Sequence, residues 1–291
     1  MPTLLPTRTR AIVSTRFPER GAGFTIVELA VTMVIIALLL GSILVPLNTQ
    51  VESRKYDETQ RALERAREAL LGFAAANGRF PCPASATSNG LEHFSGTGNP
   101  TNGRCHASVT GTNVFAGYLP AATLGLAQVD DQGYALDAWG LSPFNRIRYA
   151  VSSETVANPS PIPRPFTTAS TSTTGMRAAG MVNISGTALL HVCSSGTGVV
   201  IASDCGSAVT LTSNAIVVIW SVGPNAATTN GTSTDESENL LLCGTATARA
   251  CDRVFVSKVR SGGTAGEFDD SVTWIGSATI FNRLIQAGQL P

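Results

Sequence analysis

Residues 24–48, FTIVELAVTMVIIALLLGSILVPLN, form an apolar run with a single charge, Glu28. As a helix the run spans roughly 30–36 Å, enough for the hydrocarbon core of a bilayer. A secretory signal peptide would have a shorter apolar region, about 7–15 residues, with a small-residue cleavage site behind it. Here the run ends in LVPLN, without such a site, so it is expected to stay as an anchor. Arg8, Arg10, Arg16 and Arg20 precede it. That basic flank places the first residues on the cytoplasmic side and the remainder outside.

The helix is expected to continue past the run, through VESRKYDETQRALERAREALLGFAAAN, to a stop at Asn77-Gly78. Gly41 and Pro46 are its weak points, since Pro46 cannot donate to the helical ladder. Leu63, Ala66, Leu70 and Phe73 share one side at helical spacing. Glu58, Arg61, Glu64, Arg65 and Glu68 cover the others and can pair at i,i+3 or i,i+4.

Beyond Gly78 the chain is rich in Gly, Ser, Thr, Ala and Asn, which suits short strands and turns. Residues 82–120 read as a loop-rich insertion, with a short turn of helix in 118–126. Residues 153–175 and 224–240 read as exposed polar loops. Strands are expected in NRIRYAVS, GTALLHVC, GVVIAS, NAIVVIWSVG and DRVFVSK. A terminal amphipathic helix in SATIFNRLIQAGQL should bury Ile280, Leu284 and Ile285. All six cysteines follow the apolar run, on the side where thiols oxidise. Proximity favours Cys82–Cys105, Cys193–Cys205 and Cys243–Cys251; the alternative is buried free thiols.

The junction Arg20-Gly21-Ala22-Gly23-Phe24-Thr25-Ile26-Val27-Glu28-Leu29 resembles the signature of type IV prepilins and type II secretion pseudopilins. The resemblance implies that a prepilin peptidase cuts after Gly23 and that Phe24, the new first residue, is methylated. It also implies that Glu28 pairs with the amino terminus of a neighbouring subunit. Physical chemistry points the same way. Gly23 lets an extended backbone approach a protease closely, and a carboxylate among lipid chains is costly until it finds a partner.

Further along, Leu136-Asp137-Ala138-Trp139-Gly140 with Asn145-Arg146-Ile147-Arg148-Tyr149 is similar to the Asp-Pro-Trp-Gly…Tyr segment of major pseudopilins. Trp220-Ser221-Val222-Gly223-Pro224-Asn225 resembles their Ser-x-Gly-x-Asp-Gly turn. Phe268-Asp269-Asp270-Ser271-Val272-Thr273-Trp274 resembles their Asp-Asp-Ile…Trp end. The family holds a calcium ion between the last two loops. Asp269 and Asp270 are hard oxygen ligands for it, and Asp235, Glu236 and Glu238 are possible additions. The chain departs from the pattern at Asn225-Ala226, which replaces Asp-Gly. Asp269 and Asp270 read equally as turn or strand-end caps.

Nothing suggests an enzyme. His93, His106 and His191 are the only histidines, and HExxH, GxSxG and P-loop patterns are absent. Lys plus Arg and Asp plus Glu number 20 each, so no nucleic-acid partner is expected. The expected fold class is α+β: a long N-terminal helix on a small antiparallel sheet with disulfide-pinned loops. The organisation is a leader (1–23), a membrane and filament-core half-helix (24–48), an amphipathic half-helix (49–78) and an exported globular part (79–291). The resemblance implies a bacterial inner-membrane protein that ends in a pilus or pseudopilus, with prepilin peptidase and other pilin or pseudopilin subunits as partners. The competing expectation is a signal-anchored periplasmic binding domain that never polymerises.

Overall fold

A computed structural model of the chain describes residues 23–106, 113–140, 142–157, 160–200, 203–226, 233–240, 252–262 and 267–290; in residues 42–48 it describes the backbone alone. The expected leader, apart from Gly23, lies outside the described residues. The chain divides into two compact units, Met1–Val51 and Glu52–Pro291. Helix α1, Ile26–Asn77, starts in the first and ends in the second.

In the first unit every described side chain from Phe24 to Gly41 is exposed. The expected span, 24–48, runs into residues 42–48, whose side chains lie outside the described residues. Among the described residues no helix is long and apolar enough to cross a membrane.

The second unit is α+β. Its part of α1 buries Thr59, Leu63, Ala66, Leu70, Leu71 and Ala74. Phe73, expected in this stripe, is half-buried at its edge. Ala74 takes the inward place because it continues the i,i+4 step from Leu70. Gly78 ends α1 with φ +66°, a conformation that a Cβ would disfavour.

Among the described residues eight strands follow, six of them in the main sheet: β1 Val114–Tyr118, β2 Arg148–Ser152, β5 Leu190–Cys193, β6 Thr210–Ser221, β7 Val254–Val256 and β8 Ser271–Gly276. Their order is β1-β2-β6-β5-β7, with β8 also on β6. Two-residue strands β3 (Thr155–Val156) and β4 (Ile162–Pro163) pair separately. The sheet is mixed rather than antiparallel, because β7 runs parallel to β5. The chain between β5 and β7 includes β6, so it exceeds the dozen or so residues that a parallel pair requires. Ile216, Val217 and Ile219 of β6 pack in the core that holds α1, while Val218 and Trp220 pack with Phe255 in a second cluster. Burial on both faces explains why this strand reads as an unbroken apolar run.

Several expected loops carry structure. The 82–120 stretch contains β1, and 118–126 supplies α2, Ala121–Leu124. The 153–175 stretch holds β3 and β4, and it buries Phe166, Thr167 and Thr168. Short helices α3 (Gly175–Ala179) and α4 (Met181–Ser185) follow, and α5, Thr234–Glu238, lies in the expected 224–240 loop. GVVIAS forms only a bridge, Val200 to Asp204, with residues 201–202 outside the described set. The terminal helix α6, Ser277–Gln286, buries Ile280, Phe281 and Leu284, while Ile285 stays 45% exposed. Cys82–Cys105 and Cys193–Cys205 are disulfides. The expected Cys243–Cys251 pair lies outside the described residues.

Candidate functional site

The first candidate site is the start of α1. Gly23 and Phe24 precede the helix, and Phe24 is exposed. Thr25 Oγ1 accepts the Glu28 N–H at 3.2 Å, and the Thr25 carbonyl accepts the Leu29 N–H at 3.1 Å. Glu28 therefore sits in the first turn, at the positive end of the helix dipole. The glycine and phenylalanine singled out by the sequence and the lone carboxylate thus fall within six residues, with Gly23 and Phe24 outside the helix and Glu28 inside its first turn.

The second is a polar junction in the Glu52–Pro291 unit. Asp137 is buried and accepts from Ser221 Oγ at 2.5 Å, Asn145 Nδ2 at 3.0 Å and the Trp139 N–H at 2.9 Å. Asn145 Nδ2 also donates to the Gly223 carbonyl at 2.7 Å. Burial raises the Asp137 pKa, and the bonds from Ser221 and Asn145 oppose the rise. The segments that resemble the first two pseudopilin motifs are thus joined by one carboxylate. Beside it the Trp139 ring meets Tyr56 edge-on at 5.1 Å, and the Arg260 guanidinium lies 4.3 Å from the Tyr56 ring. Burial pushes the Tyr56 hydroxyl up to about 12.

The acidic residues named for calcium separate into different roles. Asp235 is held by Lys258, by Ser195 Oγ at 2.9 Å and by the Gly196 N–H at 2.6 Å. Asp270 accepts from Asn239 Nδ2 at 2.7 Å, and burial raises it to about 8. Glu236 accepts from Asn225 Nδ2 at 3.1 Å, while Glu238 is buried in α5. Asp269 is 2% exposed, and neither carboxylate oxygen has a hydrogen-bond partner of normal geometry. Burial first, then the charges of Glu236 and Glu267, raise it to about 7; the Asn225 N–H and Arg260 oppose the rise only partly. Gly223, at φ +68°, makes room for it, since a Cβ there would lie 2.4 Å from Asp269 Oδ1. Among the described residues no three His, Cys, Asp or Glu side chains converge as a metal group. A cation here would draw on Asp269 and on neutral oxygens, not on an acidic cluster.

His191 lies in β5, buried, with both ring nitrogens unpaired. His93 and His106 stack at 4.3 Å. Neither arrangement brings a nucleophile to a base. Sequence reasoning named Thr25 and Ser221 only as members of motifs, without a role of their own, and missed Asn239. A Thr-x-x-Glu spacing before an apolar run was the available signal for Thr25; partners for a buried Asp137 leave no comparable pattern. Comparison with protein-family models, with curated proteins and with solved structures finds no match to this chain.

Proposed function

We propose that this chain is a prepilin-type subunit, a minor pilin or pseudopilin, processed at Gly23–Phe24 and built into a type IV pilus or type II secretion pseudopilus. One observation carries the proposal. The motif Gly23-Phe24-Thr25-x-x-Glu28-Leu29 sits where non-helical chain enters α1, whose apolar side chains from Ile26 to Leu40 are all exposed. Cleavage would free an α-amino group on Phe24, which methylation by an activated methyl donor would modify. In a filament, that cationic terminus and the Glu28 of a neighbour would neutralise each other away from water, where the pairing is strongest. The precursor would wait in the bacterial inner membrane with its second unit in the periplasm.

Co-expression with a prepilin peptidase tests the proposal. The chain should shift by the mass of its first 23 residues. Gly23→Ala should abolish the shift, while Glu28→Ala should leave the cut intact and prevent incorporation into filaments. An uncut wild-type chain would leave the signal-anchored, non-polymerising domain as the better account.

Calcium enters as a subordinate part of the proposal. Asp269, whose two buried oxygens lack a hydrogen-bond partner of normal geometry, is the residue that would hold the ion; Asp270 already serves Asn239. With so few charged ligands the affinity should fall in the weak range, about 10⁻⁴–10⁻³ M. Ten millimolar calcium should then raise the melting temperature, and Asp269→Asn should remove the rise. A flat titration removes calcium from the account.

A further inference from the structure

The Thr25 hydroxyl is the first side-chain acceptor that α1 meets. It takes the Glu28 N–H, while the Thr25 carbonyl takes the Leu29 N–H. Thr25 is therefore the N-cap, Ile26 the first helical residue and Glu28 the third. Thr25-x-x-Glu28 has capping-box spacing. The two residues that flank the scissile bond, Gly23 and Phe24, are left outside the helix.

We propose that Thr25 is a positioning residue for leader removal: by capping α1 it keeps the Gly23–Phe24 bond outside the helix, open to the peptidase. The inference rests on the cleavage proposed above and names what prepares the bond for it. The step itself is hydrolysis. Water adds its oxygen to the Gly23 carbonyl carbon, the C–N bond breaks, and the protons leave a Gly23 carboxylate and a Phe24 ammonium.

The physical reason lies in the open N–H groups at a helix start. Facing lipid, each unsatisfied group costs several kcal/mol. The Thr25 hydroxyl satisfies one of them in place. Without it, the chain's remedy is to wind further towards its amino terminus, carrying the open groups towards headgroups and water. Gly21 and Gly23 make such winding more costly than alanine would, but Pro18 is the first residue upstream that cannot donate. One added turn would place the Gly23–Phe24 bond inside a helical ladder. The substrate-competent fraction falls, which raises KM while kcat is unchanged.

Full-length precursor in detergent micelles with purified prepilin peptidase provides the test. Thr25→Val keeps the side-chain shape and removes the acceptor. It should raise KM roughly fivefold, the size expected for losing one cap, with kcat unchanged. Thr25→Ser and Thr25→Asn, which share only the ability to cap, should restore KM. In the same micelles, hydrogen exchange at the Ile26 and Val27 amides, which open the wild-type helix without an intrahelical acceptor, should be slower in Thr25→Val, because the added turn supplies them with carbonyls at i−4. Equal KM for Thr25→Val and wild type overturns the inference, as does an Asn variant that behaves like Val, which would mean that the peptidase reads the Thr25 side chain directly. Were wild type not cut at all, the proposed function would fail, and unchanged exchange in Thr25→Val would separately sink the cap.

Discussion

Asp137→Ala should lower the stability of the Glu52–Pro291 unit by about 3–5 kcal/mol. Asp137 is the shared acceptor for Ser221 Oγ, Asn145 Nδ2 and the Trp139 N–H. Ser221 and Asn145 are 1% and 0% exposed, so water cannot replace the lost acceptor. A buried donor left open costs about 1–3 kcal/mol, and here two side chains and one main-chain group share the loss. Asp137→Asn keeps the volume but presents an NH2 group to one of the donors, so its loss should be intermediate. Asp131, exposed a few residues away, is the control; its Ala variant should stay within about 0.5 kcal/mol of wild type. Thermal melts followed by tryptophan fluorescence decide the matter. An Asp137→Ala chain that melts with the wild type would show that the junction contributes nothing.

Loss of the Cys82–Cys105 bridge should rank next. The bridge closes a separation of 23 residues, for which chain entropy alone gives about 3 kcal/mol. Both sulfurs are buried, and the enclosed loop carries Glu92, which pairs with Arg79 at 2.8 Å beside α1. A Cys82→Ser/Cys105→Ser chain should therefore melt roughly 6–12 °C lower. Opening Cys193–Cys205, across 12 residues, should cost slightly less, because loop entropy grows only with the logarithm of length. A double-serine variant with wild-type melting would mean that native contacts alone hold the loop in place.

Local signals served well where local forces decide. The α1 stop at Gly78 followed from glycine's freedom at positive φ, and β6 followed from six consecutive apolar residues. Helix α6 followed from spacing. The misses share a different cause. Thr-, Pro- and Ser-rich 153–175 looked solvated, yet Phe166 is buried and its carbonyl accepts the Phe80 N–H at 2.7 Å. Such a contact depends on a partner 86 positions away, not on composition. The parallel β5–β7 pair was invisible for the same reason. At the candidate sites, Gly23, Phe24 and Glu28 could be singled out because their pattern is contiguous. Asp137 was noticed only through a resemblance, and its acceptor role required Ser221 to be brought in from 84 residues away.

Helix α1 and helix α6 belong to the same hydrophobic core. Leu63, Leu70 and Ala74 share it with Ile280, Phe281 and Leu284, and Arg283 pairs with Glu68 at 2.7 Å. Part of the α1 stripe is therefore covered by residues about 215 positions further along the chain. Until these are made, that part of the stripe stays uncovered, and β6 still lacks its β8 partner. Closure at such long sequence separation is slow. Maturation of this protein should thus be governed by how quickly residues 271–290 are delivered, and a holding chaperone would be most useful in that interval.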